Sequence, residues 1–248
     1  MVELILISIL GLVMGIVSSI SGGSGVFAIP TMLAFGLPPI NVLALNRMSD
    51  VGVVSGALRG YHKARSIDWK LAGIITIPLA TGSFVGVSTI VRLPEEILKY
   101  VIVVGVGIGI FFLLKRVKPK AKPNKNLISW ISLLLMLIVG IWSGALAMAG
   151  ATFAVLVLVY FFHKTYLQSR STHIVAAIPE TIITTTILVM GSTASFLLLS
   201  TMFVSSFVGS WIGSHLAVKH GDNLIRKAMV GVAIVMVIKV MLEVPWMI

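Results

Sequence analysis

The sequence predicts an all-α polytopic membrane protein that is built from two repeated halves. Of its 248 residues, 58% are hydrophobic and 11% are charged, whereas soluble domains are about 45–50% apolar and about 25% charged. Two long runs, residues 4–46 and 127–162, contain no charged residue. Each exceeds the ~20 residues that a helix needs to cross a bilayer. The sequence therefore predicts one membrane repeat over residues 1–114, a basic cytoplasmic linker over 115–126 and a second membrane repeat over 127–248.

In the first half, glycine and proline cut the uncharged run into three helices. The cluster SGGSG at residues 21–25 interrupts the first helix, because each glycine costs a helix roughly 1 kcal/mol relative to alanine. Pro38 and Pro39 separate the second helix from the third. Five helices are predicted in this half. The first ends near residue 20, the second covers 25–35, and the third ends near residue 58. The fourth covers 71–91 and the fifth 94–114.

The second half follows the same plan. A single helix over the uncharged residues 127–162 would be about 54 Å long, which is too long for one crossing of a ~30 Å hydrocarbon core. The small residues at 149–151 therefore mark a second break inside the membrane. Beyond it, the sequence predicts helices over residues 168–190, 196–218 and 224–242, with turns at 191–195 and 219–223.

Matched landmarks indicate that the two halves arose by duplication. Glycine pairs with GxxxG spacing and a membrane-embedded arginine recur in the same order, about 123–129 positions apart. The matches are Gly11/Gly15 with Gly140/Gly144, Arg47 with Arg170, and Gly82/Gly86 with Gly209/Gly213. Internal repeats of this kind are common in secondary transporters.

The loop charges predict how the halves are oriented. If each broken helix is a hairpin that enters and leaves by one face, most of the 19 lysines and arginines lie on a single side. If the first element of each half instead crosses the membrane once, the second half takes the opposite orientation. Fewer of the lysines and arginines then lie on one side of the membrane. The positive-inside tendency favours hairpins, inverted repeats and outward-facing termini. The predicted fold is thus two inverted repeats, each a broken-helix hairpin plus three transmembrane helices.

The two breaks expose helix N-termini, which bind anions through free N–H groups and the helix dipole. Together with the two arginines, they predict a compact site for a small oxyanion. The alternative is that small residues only permit close helix packing, and we prefer it for the GxxxG glycines. The predicted substrate-binding residues are Ser21, Gly22, Gly23, Ser24, Gly25, Asn46, Arg47, Ala149, Gly150, Ala151, Thr152 and Arg170.

Ionisable residues inside the predicted helices are candidates for proton coupling, since such groups are costly in a membrane and usually functional. Asp50 and His173 each lie three residues after an arginine, and Glu180 is the deepest carboxylate of the second half. The alternatives are structural. They are an Arg47–Asp50 pair within the helix, an interhelical anchor at Asp50, an arginine that snorkels to the interface, a hydrogen-bonded histidine, and a pair of Glu180 with Arg170 or His173.

Other functions find little support in the sequence. It has no cysteine and no HExxH, GxSxG or P-loop motif, so we expect no catalytic residue, cofactor or metal. The net charge of +11 resides in short loops rather than in a nucleic-acid-binding face. The N-terminus carries Glu3 and no basic segment, unlike a cleaved signal peptide. The expected partners are a small anion and the lipid bilayer of the cell membrane, which the chain is expected to cross several times. Whether the protein forms a homo-oligomer is left open by the sequence.

Several motifs resemble those of the sulfite exporter TauE/SafE family of membrane permeases. They are the GxxxG of the first helix, the SGGSG break followed by Pro30, the Asn46-Arg47 pair and the SIDWK loop at residues 66–70. The resemblance covers essentially the whole chain, with AMAGATFA as a looser second copy. It implies transport of sulfite or a small organosulfonate such as sulfoacetate. The leading hypothesis is an alternating-access secondary transporter; its rivals are an anion channel with the same site and a non-transport membrane partner subunit.

Overall fold

The computed structural model describes residues 2–94, 97, 130–147 and 150–243. In that part of the chain the regular structure is entirely α-helical. The helices are α1 Val2–Ser21, α2 Gly25–Ala34, α3 Pro39–Lys63, α4 Trp69–Ile90, α5 Trp130–Leu146, α6 Gly150–Phe161, α7 Tyr166–Met190 and α8 Phe196–Glu243. The predicted helix over 94–114 and the linker over 115–126 lie outside the described residues, apart from residues 94 and 97.

The breaks of the first half lie where the sequence predicts them. Helix α1 ends at Ser21, and Gly22 adopts φ 79°, a conformation that glycine tolerates without steric cost. Helix α3 begins at Pro39, a favourable residue for a first turn. It continues to Lys63, beyond the predicted end near residue 58, because His62 and Lys63 stabilise the negative end of the helix dipole.

The second half repeats this pattern. Helix α5 ends at Leu146 and α6 begins at Gly150, which confirms that the run is broken. Gly150 and Ala151 belong to α6, so the break precedes most of the predicted position at 149–151. Helix α7 starts with a capping box between Thr165 and Gln168. Helix α8 is interrupted at Gly221, which has φ 62° and ψ −152°, inside the predicted turn.

Four of the described helices are long and apolar enough to cross a membrane: those within Leu4–Ser21, Trp69–Ile90, Tyr166–Met190 and Phe196–Val232. Large apolar side chains face outward, as for Phe196, which is 84% exposed. Such a surface suits lipid rather than water. The chain is therefore an integral membrane protein. The helices α2 and α6, with 10 and 12 residues, are too short to cross alone.

The GxxxG glycines serve helix packing between the two halves. Helix α1 packs along α8, and α5 packs along α4. A Cβ atom at Gly15 would overlap the backbone of Ser206 in α8, and one at Gly144 would overlap the backbone of Ser83 in α4. Backbones approach this closely only at small residues. The first helix of each half thus packs against the GxxxG span of the other half.

Side-chain contacts show the relative directions of the two arginine helices. Near the start of α3, the Asn41 amide donates to Thr193 just beyond the end of α7, at 3.1 Å. Two turns further along α3, Thr185 of α7 donates to the Arg47 carbonyl at 3.2 Å. Residue numbers rise along α3 while they fall along α7, so these helices run antiparallel through the centre of the protein.

The apolar core consists of three clusters around this central pair. One cluster includes Ile29, Leu43 and Leu188, a second Val53, Tyr61 and Ile225, and a third Ile75, Met136 and Leu158. Most of the buried charged and polar side chains belong instead to α3 and α7. The two helices therefore form a polar interior within an apolar shell.

Candidate functional site

The two helix breaks meet in the interior of the protein. The Thr152 hydroxyl, at the start of α6, donates to the Ser21 carbonyl at the end of α1 over 3.0 Å. A Cβ atom at Gly22 would lie 2.7 Å from the Cβ of Ala151, closer than side chains pack. The breaks therefore touch, and only glycine fits at position 22. The predicted residue Ala149 lies outside the described residues.

Beside the breaks lies a cavity of about 40 Å³. Since one water needs roughly 10–15 Å³ on this measure, there is room for about three waters or one small polyatomic ion. Residues of both halves line it: Ser18, Gly22, Ser24, Gly25, Arg47, Asp50, Val53, Val54, Ser143, Ala147, Gly150, Ala151, Arg170, His173, Ile174, Ala177, Glu180 and Thr181.

Arg47 is held at the cavity by two carboxylates and a serine. Its Nη1 atom lies 3.1 Å from Asp50 Oδ2 and 3.8 Å from Glu180 Oε1. Its Nη2 group donates to the Ser143 carbonyl of α5, and the Ser143 hydroxyl donates to Glu180 Oε1. Within the described residues, Arg47 Nε and Glu180 Oε2 have no hydrogen-bond partner although both are buried. This cluster thus keeps an unused donor and an unused acceptor in the interior.

Arg170 has neutral partners instead. It donates through Nε to the Ser19 carbonyl at 3.1 Å and through Nη2 to the Ser18 carbonyl at 2.7 Å. Its Nη1 group lies 3.0 Å from His173 Nδ1. A guanidinium only donates, so His173 accepts through Nδ1 and is a neutral ring with its proton on Nε2. No described carboxylate forms an ion pair with Arg170.

Each arginine therefore binds the broken helix of the other half. Arg47, from the first half, contacts α5, and Arg170, from the second half, contacts α1. Both side chains are almost fully buried, at 3% and 2% exposure. Buried charges that reach backbone carbonyls at helix ends are strongly held. The arginines connect the halves to each other as well as lining the cavity.

The structure brings most of the sequence-predicted site residues to the cavity. The lining includes Gly22, Ser24, Gly25, Arg47, Gly150, Ala151 and Arg170, and all three proton-coupling candidates, Asp50, His173 and Glu180.

Four other predicted residues lie close by without lining the cavity. Ser21 and Thr152 hold the two breaks together, and Gly23 packs against Thr152. Asn46 donates from Nδ2 to the Ala147 carbonyl at 2.6 Å. Ala147 has φ 53°, a left-handed conformation that is unfavourable for alanine. Asn46 thus supports the second break rather than facing the cavity.

Sequence reasoning missed Ser143 and Ser18. Ser143 joins Arg47 to Glu180, and the Ser18 carbonyl holds Arg170. The available signal for Ser143 was a hydroxyl beside Gly144 in an otherwise apolar helix. A backbone carbonyl such as that of Ser18 leaves no trace in the sequence, because every residue has one.

Two polar contacts join the halves at opposite ends of the α3/α7 pair. At the basic end, Lys164 Nζ lies 2.7 Å from Asp68 Oδ2. At the other end, the Asn41 side chain bonds to Thr193, whose backbone N–H donates to Asn41 Oδ1 at 2.9 Å. The two contacts lie at matching positions of the predicted repeats, because Lys164 follows Asn41 by 123 positions and Thr193 follows Asp68 by 125. We call them the basic-end contact and the far-end contact.

The basic-end contact is electrostatic. Partial burial of Asp68 opposes its ionisation, but the hydrogen bond from Lys164 and that from the Leu71 backbone outweigh this and lower its pKa below the ordinary value of 3.8. Nearby, the Ser171 hydroxyl donates to the Ser66 carbonyl at 2.8 Å. The Asp222 carboxylate accepts from the Leu167 backbone at 2.9 Å. The three described basic segments, the α3–α4 loop, the start of α7 and the Gly221 break, therefore lie at one end, as predicted.

The chain matches the family model described as "Sulfite exporter TauE/SafE" over residues 7–240. It is similar to the "Probable membrane transporter protein YfcA" of Escherichia coli (strain K12), with 25% identity over 237 residues, which cover 92% of this chain and 86% of that protein. It is also similar to the "Probable membrane transporter protein ORF9" of Sinorhizobium sp, with 22% identity over 248 residues, covering 92% and 88%. A third relative is a "Probable membrane transporter protein" of Haemophilus influenzae, with 22% identity over 241 residues, covering 95% and 93%. No solved structure matches the chain.

Proposed function

Because the chain belongs to the sulfite exporter TauE/SafE family, we propose that it is a secondary transporter for a small sulfur-containing anion, sulfite or a small organosulfonate, in the cell membrane. The family supports the sulfur chemistry, and the curated relatives support membrane transport. The main structural support for an anionic substrate is the cavity. It is small, lined mostly by buried residues and flanked by the guanidinium groups of Arg47 and Arg170.

The helix breaks supply the rest of the proposed site. The N-terminus of α2 begins at Ser24 and Gly25 beside the cavity, and that of α6 begins at Gly150. N–H groups at the start of a helix can bind oxygen atoms of an anion. In α2 those of Val26 and Phe27 already donate to the Gly23 and Ser24 carbonyls, at 3.3 and 3.2 Å, so the proposed donors are the N–H groups of Ser24 and Gly25. Two helix N-termini and two arginines would surround an oxyanion, and the neutral His173 ring adds a further donor.

Alternating access is the proposed mechanism, with residues 1–114 and 127–248 as inverted repeats joined by a cytoplasmic linker. The antiparallel course of α3 and α7, which occupy equivalent places in the two halves, supports inversion. The reciprocal packing of α1 on α8 and of α5 on α4 supports a pseudo-two-fold relation. Such repeats rock against each other around a central site in many transporters.

The basic-end and far-end contacts are the proposed gates. Each ties α3 or its loop to α7 or its loop at one end of the cavity. Both contacts are formed in this structure. Opening one while the other stays closed would expose the cavity to one side only. An anion channel would instead need both ends open at once.

Solute counterflow in proteoliposomes tests this function. Proteoliposomes that contain the purified chain are loaded with unlabelled sulfite or methanesulfonate, and uptake of the labelled anion is followed. We expect trans-stimulation, with loss of uptake in Arg47→Ala and in Arg170→Ala. The matched control is Arg226→Ala, since Arg226 is exposed and outside the cavity. Uptake without trans-stimulation would identify a channel, and full activity of both cavity variants would refute the proposed site.

A further inference from the structure

The charges at the cavity balance without any substrate. Two guanidinium groups, Arg47 and Arg170, face two carboxylates, Asp50 and Glu180, and His173 is neutral. The other residues that line the cavity are uncharged. An anion that enters this site alone would leave one uncompensated negative charge in a buried environment, which is strongly unfavourable.

We infer that the cavity accepts its monoanion together with one proton, which binds to Glu180, so that transport is electroneutral. This inference rests on the proposed transport function and extends it to the coupling ion and its binding group. The balance is simple: one proton adds to a Glu180 carboxylate oxygen, one negative charge arrives on the substrate, and no covalent bond of the substrate changes.

Geometry favours Glu180 over Asp50 as the proton acceptor. Asp50 makes the closer ion pair with Arg47, at 3.1 Å against 3.8 Å, and its side chain is 26% exposed against 4% for Glu180. Asp50 therefore gains more from remaining ionised. Glu180 Oε2 is buried and has no partner within the described residues, so it has a free oxygen for a proton. Once protonated, that oxygen becomes a hydrogen-bond donor.

His173 is a poor acceptor for the same proton. Its Nδ1 atom already accepts from the Arg170 guanidinium, and protonation would place two cations in contact. Its Nε2–H group remains a donor, which suits substrate binding rather than proton transfer. The charged and titratable groups that line the cavity with Glu180 are thus Arg47 and Asp50 from α3 and Arg170 and His173 from its own helix. Of these, only Asp50 competes for the proton.

The loose Arg47–Glu180 pair explains how substrate and proton would be linked. When Glu180 is neutral, its attraction for Arg47 falls, and an anion can take its place beside the guanidinium. Arg47 Nε, which is buried without a partner, supplies an additional donor at that moment. Ser143 contacts both groups, so its hydroxyl can follow the change. Proton binding and anion binding would therefore favour each other.

The test measures the accumulation of labelled methanesulfonate and of sulfite in proteoliposomes that contain the whole chain. Methanesulfonate keeps a single negative charge at every pH used, so any proton coupling belongs to the protein. For the unaltered chain, we expect about tenfold accumulation per unit of pH gradient and no response to an imposed potential of about 59 mV, the value that moves a lone monovalent ion tenfold.

Glu180→Gln should reverse both results, with tenfold accumulation driven by the potential and none by the pH gradient. Asp222→Asn is the matched control and should keep the pH response, because Asp222 lies outside the cavity and asparagine keeps an oxygen that can accept from the Leu167 backbone. If Glu180→Gln transports nothing, the binding of methanesulfonate and of sulfite to the purified variant is measured as a function of pH. Binding that is independent of pH supports the inference, and binding that depends on pH contradicts it. Potential-driven accumulation by the unaltered chain, or pH coupling that is kept in Glu180→Gln, would overturn it. Counterflow without either response would refute the inference and leave transport standing, whereas absence of counterflow for both anions would refute the proposed function.

Discussion

Replacing Gly144 by alanine tests the close contact between the halves. Gly144 lies in α5, next to Ser143, and faces the backbone of Ser83 in α4. A Cβ atom there would lie 2.6 Å from Ser83 Cα and would overlap the Ser83 carbonyl oxygen. An ordinary contact is about 3.4 Å, so α5 must move away from α4 by at least 0.8 Å to clear the Ser83 Cα atom, and further to clear the carbonyl oxygen. Backbone atoms cannot rotate aside as a flexible side chain can.

The energetic cost follows from two opposing effects. Overpacking costs about 1–3 kcal/mol, and the better helix propensity of alanine returns up to about 1 kcal/mol. The expected net loss is about 1–2 kcal/mol, which lowers the unfolding midpoint by roughly 2–8 °C for a chain of this size. The displacement also moves Ser143, which holds Arg47 and Glu180. Transport should therefore fall more than stability alone would predict.

Thermal unfolding of the purified protein and counterflow in proteoliposomes measure the two effects. Gly73→Ala is the matched control, because a Cβ atom at Gly73 meets nothing within 4 Å. This variant should be as stable as the unaltered chain or slightly more stable, with the same transport rate. If Gly144→Ala behaves like Gly73→Ala in both assays, the contact between α4 and α5 is wrong as described.

Two further predictions concern the end contacts. The chain contains no cysteine, so Ala177→Cys in the cavity can report access to a membrane-impermeant thiol reagent. Adding Asp68→Asn should increase labelling several-fold from the basic-loop side only, and adding Asn41→Ala should do so from the opposite side only; equal increases from both sides would contradict the two gates. The second prediction concerns pH. Because the pKa of Asp68 is lowered in the folded chain, its contribution is fully present above the ordinary value of 3.8 and is lost as pH falls through the lower folded value. The unfolding midpoint of Asp68→Asn should therefore lie slightly below that of the unaltered chain at neutral pH, by the equivalent of about 1 kcal/mol or less for this partly exposed pair. The difference should shrink as pH falls below 3.8 and disappear only below the lowered folded pKa of Asp68; a difference that persists there would argue against the Asp68–Lys164 pair as its source.

The positions of the helices could be predicted because their signals are local. Gly22 and Gly23 destabilise a helix through the conformational freedom of their own backbones. The structure ends α1 at Ser21, just before them. Pro39 starts a helix for an equally local reason. The repeat offsets were also readable in the sequence, and they correctly paired Arg47 with Arg170 as the buried arginines.

The partners of these residues could be predicted only when they lie on the same turn of a helix. Asp50 and His173 each follow an arginine by three positions, and the structure places both in contact with it. Ser143 and Ser18 bind the same arginines from 96 and 152 positions away. Nothing in the local pattern selects them, because helix packing alone decides which carbonyl meets which guanidinium.

The sequence by itself determined that this protein crosses a membrane, that its chain is broken twice within the apolar runs, and that a charged group is buried near each break. Those properties depend on hydropathy, helix propensity and the cost of burying charge, which act over a few turns of chain. Only the tertiary structure decided that Arg47 is neutralised by Asp50 and Glu180 while Arg170 is held by neutral groups. The physical reason is that an ion pair depends on distances of a few ångströms between helices, and only the packing of α3, α5 and α7 against one another determines those distances.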